Sequence, residues 1–506
     1  MESEIEALAE KNVSLERENK ILREEVALLK HGLFGRKTER LDPGQLAMFA
    51  GEQEGEPVPA PANAKVKKQK RKGHGRAPFA PHVPRETIEL DLATQERACP
   101  SCGKEMRAIG EDVTERGHIV PARIVVRRYV RKKYACPDGH AVRTAAAPEA
   151  LIDRCKYEPS VYAHVATAKY CDHLPLHRLA GIFKRHGVHL PKQTMWDMLV
   201  KVDELVAQPV LKQMRSELLE SAILHADETP VMVKSEGGKG SSQGYVWDWR
   251  APGGDEADKT LVQFTLSRNR HGPKRMLGTW SGTLITDGYS GYGEVSRENG
   301  IRRAGCWAHA RRGFKQALDL KIQGAASVLV HIQRLFWLER AMKRRVASRR
   351  LKEADLIELR RRVRATRSQV VLDRIYRAAL AVDSKPGTMP KSKLGKSLGY
   401  LFNQKEPLSV FLEDPRIEIH NNGSERDLRH VVLGRNNWLA FASPRGGEVA
   451  SHLYSLVLSC KHAGADPEAY LEDVLLRVST TPASEIASLT PWAWAKARQS
   501  EAGAPS

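Results

Sequence analysis

The chain has 506 residues and a formal net charge of +20 at neutral pH, which favours nucleic acid or another polyanion as a partner. No apolar stretch approaches the roughly 20 residues needed to cross a bilayer, and the acidic, heptad-patterned N-terminus argues against a signal peptide. Seven cysteines, an odd number without an export signal, indicate a reducing cytosol. We therefore expect a cytoplasmic protein of several domains without a membrane partner.

Residues 1–40 predict a coiled-coil dimerisation helix. Leucines recur every seven residues, at Leu8, Leu15, Leu22 and Leu29. With these at the d positions, Asn12 and Asn19 fall at a positions, where Asn favours two parallel strands and fixes their register. Residues at the g and following e positions are opposite in charge, as a parallel homodimer requires. A single amphipathic helix packed on its own domain is the alternative, and the polar seam argues against it.

Residues 41–84 predict a disordered linker that ends in a basic arm. Residues 42–63 are rich in Pro, Gly, Ala and Glu, which is typical of an unstructured segment. The dense basic run at 65–76 is suited to neutralising phosphates without reading sequence. Its candidate DNA contacts are Lys67, Lys68, Lys70, Arg71 and Lys72. A solvated tether is the alternative.

Residues 85–148 predict a zinc ribbon, formed by two ligand pairs with β-rich residues between them. The proposed ligands of a structural Zn²⁺ are Cys99, Cys102, Cys136 and His140. The second pair is the weaker signal because C-x₃-H replaces the commoner C-x₂-C, and His118 is an alternative ligand. Two unrelated pairs of buried thiols are the other interpretation.

Residues 149–217 predict a helical DNA-binding region. Residues 174–183 have helical apolar spacing that ends near Gly187, and a second helix starts around residues 190–191. Two helices joined by a short turn with glycine are typical of a helix-turn-helix. The recognition helix would open with Lys192, Gln193 and Thr194, which would face DNA. An ordinary helical hairpin between two domains is the alternative.

Residues 218–314 predict the first part of an α/β core, because strand-like segments are followed by a helix from about residue 306. Strands first, then helices on a mixed sheet, suit an RNase-H-like fold. Residues 315–412 are helical and very basic and predict an insertion. Residues 413–477 return to the core, and residues 478–506 predict an Ala/Ser/Pro-rich C-terminal tail.

Three acids, far apart in the chain, are the candidate metal ligands of this core: Asp227, Asp287 and Glu425. Each Asp follows a short apolar run and precedes a turn-prone stretch, which indicates an acid at the end of a buried strand. Carboxylates stay ionised at neutral pH and are hard ligands for Mg²⁺. Two such ions can clamp the attacking and leaving oxygens of a phosphodiester. A turn former or helix cap is the alternative for each Asp, and Asn422 with Glu425 also fits a capping box.

Basic side chains close to these acids in sequence are candidates for contact with phosphates: Arg311, Arg312, Arg429 and Arg435. Arg311 and Arg312 follow His309 in the segment that runs from a strand into a helix. Arg429 lies one helical turn after Glu425. A satisfied surface or core role is the alternative for each of them.

Seven motifs occur in a fixed order: LFGR (33–36), the zinc ribbon, HLPL (173–176), HADETP (225–230), TDGY (286–289), CWAHARR (306–312), and NNGSE (421–425) with GRNNW (434–438). As a set, over nearly the entire length, they resemble the transposases of the insertion-sequence sixty-six type. The family's DDE residues fall on Asp227, Asp287 and Glu425. One departure is His140, which stands in place of the usual last Cys of the zinc ribbon.

The resemblance implies a DDE transposase that binds the terminal inverted repeats of a bacterial insertion sequence and catalyses strand cleavage and strand transfer. It implies an RNase-H-like core with two Mg²⁺ or Mn²⁺ ions per active site. The expected partners are double-stranded DNA of the element ends and target, further copies of the chain, and small accessory proteins of the same element, on the bacterial nucleoid. A catalytically inactive DNA-binding derivative and a nuclease that cuts but never joins are the alternatives.

Overall fold

The computed structural model describes residues 2–34, 87, 124–135, 142–146, 156–235, 240–385 and 388–502. The chain forms two units, one of Met1–Glu52 with Arg127–Ser506 and the other of Gln53–Val126. All helices and strands given below belong to the first unit. The proposed basic arm, from Lys67 to Lys72, and the proposed zinc ligands lie outside the described residues: Cys99, Cys102, Cys136 and His140.

The predicted N-terminal helix is present as α1 (Glu2–Phe34). Its two sides differ in exposure. Ile21 and Leu28 are half-buried, and the backbone N–H of Lys393 donates to the Glu24 side chain at 3.2 Å. The proposed seam faces solvent, since Leu22 and Leu29 are 52% and 69% exposed. Within the described residues the seam is therefore left without an apolar cover.

A short antiparallel hairpin brackets the second proposed zinc prong. Strand β1 (Lys133–Ala135) pairs with β2 (Val142–Thr144), with Tyr134 opposite Arg143. Chain connectivity places Cys136 and His140 in the segment that joins the two strands. The residues predicted to be β-rich between the two ligand pairs include 124–126 and 129–130, which precede β1 and form no strand.

Four helices follow: α2 (Pro159–Tyr170), α3 (Leu176–Arg185), α4 (Lys192–Val202) and α5 (Gln208–Leu219), with a π-helical turn at Asp203–Ala207. Helices α3 and α4 are the predicted helix pair. Each begins directly after a proline, and Gly187 takes a left-handed φ of 81° that a side chain would strain. Leu179 and Leu199 are fully buried between the helices and the core. The predicted helical pair and its glycine turn are thus present.

The core is a six-stranded mixed sheet in the order β5-β4-β3-β6-β7, with β8 beside β3. Its strands are β3 (Ile223–Lys234), β4 (Ser241–Ala251), β5 (Lys259–Thr265), β6 (Thr283–Thr286), β7 (Arg302–Gly305) and β8 (Ala440–Phe441). Strands β3, β4 and β5 are antiparallel neighbours, while β6 and β7 run parallel to β3. The parallel crossovers carry α6 (His271–Leu277) and α7 (Ser290–Asn299). Trp247 and Trp249 are fully buried on β4.

A helical insertion, whose apolar core also includes Ile223, Ile285 and Ala304 of the sheet, separates the two parts of the sheet domain in sequence. Its helices are α8 (Trp307–Asp319), α9 (Ala325–Ser348), α10 (Glu353–Val363), α11 (Gln369–Asp383) and α12 (Lys393–Asn403), with a π-helical turn at Arg364–Ser368 and a 3₁₀ turn at Pro407–Leu412. Buried Glu339 on α9 accepts from Arg360 at 3.1 Å and from Arg364 at 2.8 Å. This pairing holds α9 against the α10–α11 segment.

The chain returns to the sheet with α13 (Asn422–Trp438), β8, α14 (Pro444–His462) and α15 (Pro467–Arg477). The segment predicted as a C-terminal tail contains a 3₁₀ turn at Ala483–Leu489 and helix α16 (Pro491–Ala502). Trp494 is 7% exposed and donates to Asp473 at 2.8 Å. Trp492 donates to Glu217 at 2.7 Å. The two tryptophans bury this segment on the body, which its Ala/Ser/Pro composition did not indicate. No described helix combines the length and apolar character that crossing a bilayer requires.

Candidate active site

Asp227 and Asp287 lie on neighbouring strands at the point where the pairing of those strands stops. Strand β3 pairs with β6 from Ile223 with Thr283 to His225 with Ile285. Two residues further along the same register, Asp227 falls opposite Asp287. The interpretation of Asp227 as the end of its strand is wrong, because β3 continues to Lys234 against β4. It is β6 that ends at this point, and the Asp287 carboxylate accepts from the Tyr289 N–H at 2.8 Å.

The third acid is held near the first by Asn421. Glu425 lies in the first turn of α13, and Asn421 is the residue that precedes this helix. The Asn421 amide donates to the Ala226 carbonyl oxygen at 2.8 Å, and its oxygen accepts from His225 Nδ1 at 3.0 Å. Burial lowers the His225 pKa to about 4, so this imidazole stays neutral at physiological pH. The start of α13 is therefore fixed to the stretch of β3 that carries Asp227.

The capping interpretation of this turn does not hold. Neither Asn421 nor Asn422 makes a side-chain cap to α13, because the Asn421 side chain is committed to β3. Gly423 fits here for a separate reason. A Cβ at this position would coincide with the guanidinium of Arg250, which donates from Nε to Asp258 at 3.0 Å. A side chain at residue 423 would therefore require the Arg250 guanidinium or the first turn of α13 to shift.

The charge around Asp227 is strongly negative. Burial raises the pKa of Asp227 well above its ordinary value, and the nearby carboxylates of Glu228, Asp287 and Glu425 raise it further. The neutral form of Asp227 is therefore favoured more than it is for an isolated carboxyl group. The reason is that like charges are brought together in a half-buried site.

Two residues that sequence reasoning missed complete this acidic edge. Glu228 has a side chain only 3% exposed, and it accepts from Tyr292 at 2.7 Å and from Arg268 Nε at 2.8 Å. Arg268 also lies 4.0 Å from the Asp287 carboxylate and 4.1 Å over the Tyr289 ring. The acid directly after Asp227 was the available signal for Glu228. Nothing local in the sequence indicates Arg268, which comes from the loop after β5.

Helix α8 supplies the partners of Glu425. Arg312 donates to the Glu425 carboxylate at 2.9 Å, and His309 Nε2 lies 3.6 Å from the same oxygen. The guanidinium of the neighbouring Arg311 lies 4.6 Å over the ring of Phe336. Two residues from the CWAHARR motif therefore position the third acid directly.

A cavity of about 830 Å³ opens on the other side of Glu425, between α13, the end of β4 and the helical insertion. Its lining includes seven Arg and Lys side chains and four Asp and Glu side chains, and no described Phe, Tyr or Trp. Arg426 and Arg429 are exposed there and have no ion-pair partner among the described residues. A net positive cavity without aromatic rings suits phosphate rather than a stacked base.

The acids fit a divalent cation by chemistry, although they are not spaced around one. Across the described residues, no three His, Cys, Asp or Glu side chains are already arranged to hold a metal ion. The mutual repulsion that raises the Asp227 pKa is the kind that a bound cation relieves. Asp227 and Asp287 could hold one ion from adjacent strands, and Glu425 could reach a second from α13.

The remaining candidate residues fall into two groups. Lys192, Gln193 and Thr194 open α4, where Lys192 and Gln193 are exposed as a recognition helix requires. Arg435 is engaged inside the protein instead, since it donates to the Thr229 hydroxyl at 3.0 Å and to the Pro230 carbonyl. Its guanidinium anchors α13 to the second half of β3, and a contact with DNA stays a prediction for it.

Comparison with known protein families matches four consecutive regions of the chain. A model described as "Transposase IS66 family" matches residues 154–449. Before it, "Transposase C of IS166 homeodomain" matches residues 21–88 and "zinc-finger binding domain of transposase IS66" matches residues 96–138. After it, "IS66 C-terminal element" matches residues 455–492. The chain is thus divided into an N-terminal region, a zinc-finger domain, a transposase domain and a C-terminal element.

Curated relatives come from Sinorhizobium fredii. The uncharacterized protein y4jD is 30% identical over 497 residues, which is 94% of this chain and 94% of that protein. The uncharacterized protein y4qI is 31% identical over 440 residues, or 82% of this chain and 77% of that protein. The uncharacterized protein y4hP is 28% identical over 442 residues, 83% of this chain and 77% of that protein.

Proposed function

The chain belongs to the IS66 family of transposases, and from that premise we propose that it is an active DDE transposase. It would bind the terminal inverted repeats of a bacterial insertion sequence, cleave the DNA strand at the element end and join it to target DNA. The proposed catalytic residues are Asp227, Asp287 and Glu425. The observation that supports the proposal is that Asp227 lies opposite Asp287 in the β3–β6 register, while Asn421 ties the start of the Glu425 helix to β3.

We also propose that the core is RNase-H-like. Support comes from the strand order β5-β4-β3-β6-β7, in which an antiparallel meander is continued by two parallel strands. Adjacent strands in this order bring their acids to one edge of the sheet. The helical insertion lies between the second and third acids in sequence, and Glu425 is the one of the three acids that lines the cavity.

In the proposed reaction, Asp227 and Asp287 would hold one divalent cation at the scissile phosphate from adjacent strands, and Glu425 would hold a second from α13. Two divalent cations, Mg²⁺ or Mn²⁺, would activate the attacking water and neutralise charge on the phosphate. Arg312 fixes the Glu425 carboxylate. In the joining step, the freed 3′-hydroxyl attacks a target phosphodiester, and the new P–O bond forms as the target's bond to its own 3′ oxygen breaks.

The DNA strand that leads to the acids would lie in the cavity beside Glu425. Arg429, and Arg426 one turn before it, offer unpaired guanidinium groups to its phosphates. The exposed start of α4 would read the terminal repeat, and Arg311, Arg312 and Arg435 remain predicted contacts near the path. The basic arm at 65–76 would add contacts that do not depend on sequence.

Two further parts of the proposal concern assembly. The zinc-finger match indicates zinc binding, and we propose that Cys99, Cys102, Cys136 and His140 are the ligands. The exposed leucine seam of α1 supports a homodimer or higher oligomer on DNA. Small accessory proteins of the same element remain proposed partners, and the expected location is on the bacterial nucleoid.

The test is an assay with a short duplex that carries the element's own end and a plasmid target. Wild type should cut and join, whereas Asp227→Ala should bind the duplex equally well and do neither. Binding without cutting in the wild type would identify an inactive DNA-binding derivative, and cutting without joining would identify a nuclease. Joining by Asp227→Ala would overturn the assignment of the acids.

A further inference from the structure

The helical insertion carries a cationic surface that none of the functions proposed above uses. Arg334 on α9 and Arg374 with Arg377 on α11 are all exposed. All three guanidinium groups lie within electrostatic reach of the half-buried His331, whose pKa is lowered by burial and by these three residues. Arg374 and Arg377 lie one helical turn apart on α11, and α11 packs against α9, so the three arginines form one cluster across two packed helices.

The three arginines of the cluster form no ion pair with an acid among the described residues. No ion pair within the described ranges involves Arg334, Arg374 or Arg377, and only cations act on His331. The neighbouring Asp373 accepts a hydrogen bond from Gln369 on its own helix at 3.2 Å. Like charges held together without partners cost free energy in the isolated protein, and a polyanion would recover it.

An exposed aromatic side chain extends this surface. Trp337 lies three residues after Arg334 on α9, so the two side chains share one side of the helix. Its side chain is 56% exposed, although the adjacent Phe336 and Leu338 are buried. We refer to Arg334, Trp337, Arg374 and Arg377 as the outer arginine face.

The outer arginine face is separate from the cavity at the active site. Lys343 lines that cavity, and it lies nine residues after Arg334 on α9. Nine residues are about two and a half helical turns, so the two side chains point to opposite sides of the helix. With side chains, a helix is about 10 Å across. A nucleotide that contacts Lys343 in the cavity therefore cannot contact Arg334 as well.

We propose that the outer arginine face binds the phosphate backbone of a second segment of duplex DNA, outside the reacting strands. Arg374 and Arg377 would contact phosphates, and Trp337 would pack against the sugar edge. Phosphate contacts position DNA without reading its sequence, so this site would hold flanking or target duplex of any sequence. The inference rests on the proposed function only in taking DNA as the ligand.

The test measures the salt dependence of duplex binding by the full chain, without divalent metal and in an Asp227→Ala background. The logarithm of the association constant falls linearly with the logarithm of the salt concentration. Each lost phosphate contact makes this slope less steep by about 0.9. The double variant Arg374→Ala/Arg377→Ala should therefore make the slope less steep by about 1.8. The change should be equal on an element-end duplex and on a scrambled one. Trp337→Ala should weaken binding to both duplexes without changing the slope.

A matched control removes two charges from the same insertion. Arg361 and Arg362 are exposed but paired with Glu358, at 2.6 and 3.2 Å. Arg361→Ala/Arg362→Ala should leave the slope close to that of the parent. Equal slopes for Arg374→Ala/Arg377→Ala and for the control would overturn the inference that the outer arginine face binds DNA. A chain that binds neither duplex would overturn the proposed function as well.

Discussion

The side-chain amide of Asn421 donates to the backbone oxygen of Ala226 at 2.8 Å. These residues are far apart in sequence, yet Ala226 directly precedes Asp227 and Asn421 directly precedes the helix of Glu425. This buried hydrogen bond thus ties the start of the helix of Glu425 to the strand that carries Asp227. The Asn421 backbone N–H is also used, since it lies 3.2 Å from the buried sulfur of Cys306.

Replacing Asn421 with Ala should reduce strand transfer more than it reduces stability. The change leaves the Ala226 carbonyl and His225 without partners, which costs roughly 1–3 kcal/mol of unfolding free energy. Glu425 also loses its fixed position relative to Asp227. Thermal unfolding and a joining assay on the same samples measure both effects. Asn436→Ala, on the exposed side of α13, is the control, and wild-type joining by Asn421→Ala would contradict the positioning role.

Divalent metal should stabilise the wild-type protein but not the acid variants. A ligand that binds only the folded state at 100 times its Kd adds about 2.7 kcal/mol to the unfolding free energy. Titration with Mg²⁺ or Mn²⁺ should therefore raise the melting temperature of the wild type. Asp227→Asn and Asp287→Asn should show little of this increase, while the exposed Glu298→Gln should behave as wild type. An equal increase in all four proteins would place the metal elsewhere.

Asp203 should be a main determinant of stability where the helical region meets α14. Its fully buried carboxylate accepts from His452 at 2.6 Å, Arg445 at 2.9 Å and Gln208 at 3.0 Å. Asp203→Ala should cost about 3 kcal/mol, the lower end of the range for a broken buried ion pair, because Arg445 and His452 can reach solvent. Urea unfolding at neutral pH measures this loss.

The contribution of Asp203 should also depend on pH. Burial would raise its pKa, but His452, Gln208 and Arg445 lower it below the ordinary value. A carboxyl group with a lowered folded-state pKa stabilises the protein above the unfolded-state pKa of about 3.9 and loses this effect as the pH falls through the folded-state value. The difference between wild type and Asp203→Ala should therefore shrink below about pH 4. A constant difference down to the acid transition would contradict this linkage.

A charge on the seam of α1 should dissociate the protein. Leu22 is half-exposed at a d position, so Leu22→Glu places a carboxylate where two copies would meet. Sedimentation should show a lower mass for this variant. Lys20→Glu, at an outward position of the same heptad turn, should keep the wild-type mass. The melting temperature of the sheet domain should be the same in both variants, and an unchanged mass for Leu22→Glu would exclude this seam as the interface.

Metal analysis of two histidine variants should identify the fourth zinc ligand. Wild type should retain one Zn²⁺ per chain, as a closed four-ligand site does. His140→Ala should lose zinc to a chelator that does not strip the wild type, whereas His118→Ala should retain it. His140→Cys should restore retention because it recreates the commoner ligand type. Loss of zinc from His118→Ala alone would assign the ligand to His118 instead.

Local patterns in the sequence were sufficient for most elements of the fold. The heptad of α1, the helix pair around Gly187 and the run from β7 into α8 follow from periodicity and from single Pro or Gly signals, which act within a few residues. The first-turn position of Glu425 on α13 was predictable in the same way. These features depend on neighbours in sequence, so a sequence is enough to find them.

Features set by distant contacts were missed or misassigned. Asn421 fits a cap by its position, but tertiary contact with β3 takes its side chain away from that role. Arg268 approaches Glu228 from another loop, and no spacing rule links them. The apparent tail is ordered by Trp494, whose partner lies on α15. In each case the competing partner is far away in sequence, which is why local reasoning failed.

Gly423 affects how active and inactive copies of such an element can be told apart in a genome sequence. The guanidinium of Arg250 occupies the space in which any larger residue would place its first side-chain carbon. A single-base change that turns this glycine into alanine would force either the Arg250 guanidinium or the first turn of α13 to move, and that turn carries the acid two residues later. A copy with that change could leave its three acidic codons intact and still be immobile, so counting those codons alone would overestimate how many copies can still move.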